Sequence, residues 1–109
     1  MDIICINDYF SPEARQVYEQ YGVVTPQQDV YYSVREVVTT RYGTGLLLNE
    51  LVNPKMYCHN IEEVEMWAEP NFKISRFQTI DGSEITEEQL NEFKIKQSHG
   101  TLQHDLLHK

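Results

Sequence analysis

The chain is short of basic residues, of cysteine and of long apolar runs, and each shortage narrows what it can be. Lys plus Arg number 9 against 17 Asp plus Glu, giving a net charge of -8. Phosphate backbones and anionic lipids attract basic surfaces, so this balance argues against direct nucleic-acid binding and against a membrane-surface role. No apolar run approaches the roughly 20 residues needed to span a bilayer. Cysteine occurs twice, as Cys5 and Cys58. The pair could form one disulfide, but the opening Met1-Asp2 lacks the basic and apolar stretches of a secretory signal. The expectation is therefore a cytoplasmic protein with reduced thiols. Also missing are a P-loop, a dinucleotide glycine fingerprint, zinc-finger cysteine spacing and Gly-x-Ser-x-Gly. There are no internal repeats or low-complexity linkers, and no cofactor is expected.

What remains has the size of one domain, at 109 residues with 40% hydrophobic and 24% charged. Asp2 to Ile6 is rich in β-branched residues and reads as a first strand. Ser11-Pro12-Glu13 then starts a helix. The Ser11 hydroxyl can cap free N–H groups, Pro12 suits the first helical position, and Glu13 favours the positive end of the dipole. Ala14, Val17, Tyr18 and Tyr21 recur at helical spacing, and Gly22 supplies a left-handed stop. A helix over 12–21 should lie with that stripe against the sheet.

Pro26 to Asp29 reads as a turn and Val30 to Tyr42 as a long strand, with Val30, Tyr32 and Val34 on one face. The period slips at Val37-Val38, which fits a bulge where the strand changes sheet. Gly43-Thr44-Gly45 is the expected tight connection, and Leu46 to Val52 the returning strand. Asn53-Pro54 breaks the pattern. Beyond it, residues 60–68 fit a short helix capped by Asn60, with Ile61, Val64 and Trp67 apolar. They also fit a loop followed by a strand at Glu65 to Ala68, the preferred reading. Phe72 to Ile80 alternates as a last strand ending at the Asp81-Gly82 turn. Thr86 and Gln89 form a capping box, with Ile85 stapled to Leu90, for a helix to about Ile95. The organisation is one domain over 1–96 followed by a polar, histidine-containing tail over 97–109.

Four short stretches also carry a resemblance: Cys5-Ile6-Asn7-Asp8, Tyr32-Ser33-Val34-Arg35-Glu36-Val37, Gly45-Leu46-Leu47-Leu48-Asn49-Glu50 and Ser75-Arg76-Phe77. Over residues 2–80 the chain resembles a loose group of small proteins of bacteriophages and prophage-carrying bacteria. The resemblance implies an SH3-like barrel in a bacterial cytoplasm, with no catalytic residues to carry over. The expected fold is thus mainly β (α+β): a small, partly open SH3-like barrel of about five strands. One helix follows strand 1 and one lies near the C-terminus.

Several constellations bear on function. His104 and His108 would sit one helical turn apart and could share a metal, but Asp105 and His99 are poorly placed, and a polar tail is the stronger reading. Cys58-His59 pairs a thiol with an imidazole, yet adjacent residues seldom orient together. Cys5, in an apolar strand, reads as a core thiol. Residues 62–92 hold nine acids, including Glu62, Glu63, Glu65 and Glu69, against the two bases Lys73 and Arg76. They form either a solvated face or a docking surface for a basic partner. Tyr31, Tyr32, Tyr42, Tyr57, Trp67, Phe72 and Phe77 exceed what a small barrel core buries, so some should line a groove. Arg76 is expected to snorkel from the last strand or to pair with an acid.

The reading is a non-enzymatic interaction module with a protein partner, with no catalytic or metal site. Its candidate surface is Glu62, Glu63, Glu65, Glu69, Trp67, Tyr31, Tyr57 and Arg76. A homo-oligomeric structural subunit is the alternative, and a Cys/His metal or catalytic protein the third choice.

Overall fold

The computed structural model describes residues 1–40, 43–59 and 65–95. Its architecture is α+β and mainly β, with one five-stranded antiparallel sheet, a separate two-stranded hairpin and two helices. The strands are β1 (Asp2–Cys5), β2 (Tyr31–Thr40), β3 (Gly43–Leu48), β4 (Met56–His59), β5 (Glu65–Ala68), β6 (Phe72–Lys73) and β7 (Phe77–Thr79). The sheet order is β6-β3-β2-β1-β7, and among the described residues β4 pairs with β5 alone.

Helix α1 (Pro12–Tyr21) has the ends its sequence dictates. Ser11 is extended and its hydroxyl accepts from the Ala14 N–H at 3.1 Å, Pro12 opens the helix, and Gly22 closes it at φ 73. The stripe is narrower than its spacing predicts: Ala14 and Tyr18 pack on the core, while Val17 is exposed. Helix α2 (residues 87–95) begins at the expected capping box. The Gln89 side chain accepts from the Thr86 N–H at 2.9 Å, and the Thr86 hydroxyl accepts from the Gln89 N–H at 3.2 Å. Its Leu90 enters the core beside the half-buried Ile85.

Strand β2 serves both halves of the sheet. Its first residues pair with β1, Tyr32 opposite Ile3, and its later ones with β3, from Val34 opposite Leu48 to Thr40 opposite Gly43. A bulge between Val34 and Glu36 separates the halves. It lies ahead of the expected Val37-Val38 slip, and it explains why burial steps from Tyr32 and Val34 to Val37. The glycines expected as a connection, Gly43 and Gly45, belong to β3, and Leu51 and Val52 have left it. Leu46, Leu47 and Leu48 are all buried, so this strand has no solvent face there.

Phe72 to Ile80 is not one strand. A 3₁₀ turn, Ile74–Arg76, divides it into β6 and β7. These are the opposite edges of the sheet, which in a flat five-stranded sheet would lie about 19 Å apart. A three-residue 3₁₀ turn rises only about 6 Å. The sheet must therefore coil, bringing its edges towards each other, although β6 and β7 do not pair. Inside the coil lie Ile3, Cys5, Phe10, Leu46, Leu48 and Phe77, all buried. Burial pushes the Cys5 thiol up, consistent with a core role.

Glu65–Ala68 is a strand, as preferred over the helix, while its partner Met56–His59 is a strand where a loop is expected. The tail over 97–109, with His99, His104, Asp105 and His108, lies outside the described residues. Among the described residues no helix is long and apolar enough to cross a membrane.

Candidate functional site

An aromatic face is built on the β4–β5 hairpin. Tyr57 stands directly opposite Trp67 in the register, so both side chains share one face. Their rings lie 5.4 Å apart, and Tyr21, in the last turn of α1, meets the indole edge-on at 5.9 Å. Despite these contacts Trp67 is 57% exposed and Tyr57 41%.

A two-stranded hairpin is marginal by itself, and polar ties fasten this one. Glu69, the residue after β5, accepts from Arg35 Nη2 at 2.6 Å and from the Asn53 N–H at 2.9 Å. Asn53 is buried, and its amide brackets Val24, accepting from the Val24 N–H at 2.8 Å and donating to the Val24 carbonyl at 2.9 Å. The bulge of β2, the segment after α1 and both flanks of the hairpin are thus joined. Burial alone would raise the Glu69 pKa. The Arg35 and Asn53 hydrogen bonds outweigh it and hold the carboxyl below its ordinary value.

The second feature is a cleft of about 410 Å³ between the segment entering α1 and the β6–3₁₀ corner. Tyr9, Phe10, Tyr18, Phe72, Lys73 and Arg76 form most of its wall. Phe10 meets Tyr18 at 5.4 Å and Phe72 at 6.2 Å, both edge-to-face. The Arg76 guanidinium lies over the Phe10 ring, 3.8 Å from its centroid. Arg76 Nη1 donates to the carbonyls of Asn7 at 3.1 Å and Tyr9 at 2.6 Å. Burial pushes the Tyr18 phenol up, with Arg76 opposing. Tyr18 and Tyr21 are neighbours at i, i+3 on α1, so the cleft and the aromatic face adjoin along that helix.

The structure brings together two of the expected surface residues, Tyr57 and Trp67. Arg76 lies in the cleft and, among the described residues, is not paired with an acid: it sits on the 3₁₀ turn, where Phe10 and two carbonyls hold it. Tyr31 is exposed but lies in a separate depression with Ser33 and Glu50. Glu69 is turned to Arg35 and Asn53, its side chain only 15% exposed. Glu62 and Glu63 lie outside the described residues, as do Tyr42 and the side chains of Glu65, Cys58 and His59. Sequence reasoning missed Tyr9 and Tyr21 as surface formers and Phe10 as the buried ring beneath Arg76. Tyr9-Phe10 just ahead of the Ser11 cap was the available signal, since a pair fixed at a helix entrance is held at a defined angle.

Among the described residues no three His, Cys, Asp or Glu side chains gather as metal ligands. Compared with known proteins, the chain matches no family model, no curated protein and no solved structure.

Proposed function

We propose that this protein is a non-enzymatic protein-interaction module that grips a partner through the face formed by Tyr21, Tyr57 and Trp67. The observation carrying this reading is the exposure of Trp67 between two tyrosines on a fastened hairpin. Trp and Tyr are the residue types that most often dominate interface energetics, because they bury large area at small entropic cost. The ties through Glu69 and Asn53 present the face already organised, which lowers the cost of binding. The net charge of -8 favours a partner whose surface is basic overall, with association that weakens as salt rises.

The scaffold is, in this reading, a partly open SH3-like barrel of the bacteriophage or prophage type. Support comes from β2 shared across its bulge between the two halves of the sheet, and from the edges β6 and β7 joined through one 3₁₀ turn. The alternative, a homo-oligomeric subunit built edge to edge, fits less well. The sheet edges are two and three residues long, and short edges disfavour strand pairing between chains.

The test is capture of partner proteins by the wild type and by Trp67→Ala, with the variant's fold checked by circular dichroism. A partner retained by the wild type and lost by Trp67→Ala supports the reading. Identical capture by both removes it.

A further inference from the structure

The cleft beside α1 is lined by charge opposite in sign to the net charge of the chain. In a chain with 17 acids and 9 bases, its described wall holds two cations, Lys73 and Arg76, and no carboxylate. Neither cation has a carboxylate within ion-pairing distance among the described residues.

Arg76 is also pre-organised. The Phe10 ring holds the guanidinium carbon over its face, and the carbonyls of Asn7 and Tyr9 both engage Nη1. A guanidinium has five N–H donors. Nε and Nη2 have no acceptor among the described residues. Those two nitrogens form the edge that binds a carboxylate through two parallel hydrogen bonds. Above the buried Phe10 and Phe72, the exposed Tyr9 and the half-buried Ala14 supply apolar wall beside it, suited to an apolar neighbour of the acid.

We propose that the cleft is an anchor pocket for one acidic side chain, Asp or Glu, flanked by apolar residues in a segment of a partner protein. The inference rests on the interaction-module reading and deepens it by naming the partner's chemistry. The overall charge of -8 repels a strongly acidic peptide. The segment is therefore neutral or basic apart from its one acid. The aromatic face supplies contact area, and the cleft supplies register and selectivity.

The probes are acetylated, amidated pentapeptides with a central Glu, an apolar residue on each side and Lys at both ends, against the same peptides with a central Gln. They are titrated into the ¹⁵N-labelled full chain and followed by amide chemical shifts. Charge-assisted hydrogen bonds set the expectation that Glu peptides bind about tenfold more tightly than Gln peptides, with shifts centred on Tyr9, Phe10 and Arg76. Arg76→Lys keeps the charge but loses the fork, and should weaken Glu peptides about fivefold. Lys73→Ala should weaken them about twofold to threefold. If Arg76→Lys fails to fold, judged from its amide spectrum, Lys73→Ala and the Glu/Gln contrast still decide.

Equal affinity for Glu and Gln, shifts mapping away from the cleft, or no binding at millimolar peptide would overturn the proposal. So would a phosphoserine peptide preferred about tenfold over Glu, which would make the pocket a phosphate site. If partner capture depends on Trp67 but is unchanged in Lys73→Ala and Arg76→Lys, the interaction-module reading stands and the acidic anchor falls.

Discussion

Arg35, at the bulge of β2, reaches Glu69, just past β5, at 2.6 Å, across 34 positions of sequence. This contact fastens the hairpin that carries Trp67 to the sheet. Without such a tie the aromatic face would depend on a two-stranded ribbon of four-residue strands.

Glu69→Gln should therefore destabilise the fold at neutral pH. The pair is neither fully exposed nor fully buried, with side chains 30% and 15% accessible, so the expected loss is about 1–2 kcal/mol. The folded carboxyl titrates below its ordinary 4.5. Its contribution is thus fully present above about that pH and is lost as the pH falls through the lowered folded value. Urea denaturation of wild type and variant at pH 7 and in acid should show the gap closing in acid. A gap independent of pH would show that the charge contributes nothing.

Asn53→Ala removes the amide that bonds both backbone groups of Val24, leaving part-buried polar groups unpaired. The expected cost is about 2–3 kcal/mol by chemical denaturation. Hydrogen exchange should accelerate at the Val24 amide, while the β2–β3 amides change only with global stability.

Gly45 is limited by its neighbour and not by its backbone angles. A Cβ there would overlap the Asn71 side chain. Gly45→Ala should destabilise by about 1 kcal/mol. Because Asn71 is exposed, Gly45→Ala combined with Asn71→Gly should recover part of that loss. Simple additivity in this double-mutant cycle would show that Asn71 is not the obstacle.

The helices were legible from the sequence because their signals are local. Ser11, Pro12 and Gly22 act on backbone within one turn, as do Thr86 and Gln89. The pairing of β2 with β3 was legible from apolar content, but its bulge was misplaced, since Val37-Val38 is where the phase change becomes visible and Arg35 is where it occurs. Phe72 to Ile80 misled because Phe72, Ile74 and Arg76 fall at the spacing of two that a strand has, and no Gly or Pro marks the 3₁₀ turn at Ile74–Arg76. Strand β4 was missed because Tyr57-Cys58-His59 has no apolar period of its own, and its stability comes from the pairing with β5. The positions of Arg76 on Phe10 and of Tyr21 on Trp67 join residues far apart in sequence. Nothing local encodes them. The exposure of Trp67 and Tyr57 follows from an aromatic content greater than one small core can hold, whereas their placement opposite each other comes from the β4–β5 register.

The most direct test of the account is a partner-binding measurement on a matched pair of surface variants, Trp67→Ala and Tyr31→Ala. Both residues are exposed aromatics, but only Trp67 belongs to the Tyr21–Trp67–Tyr57 face. With a captured partner titrated by calorimetry, Trp67→Ala should weaken binding by about 2 kcal/mol or more. Tyr31→Ala should leave it within about 0.5 kcal/mol. Equal losses, or a loss confined to Tyr31→Ala, would contradict the assignment of the hairpin face as the binding surface.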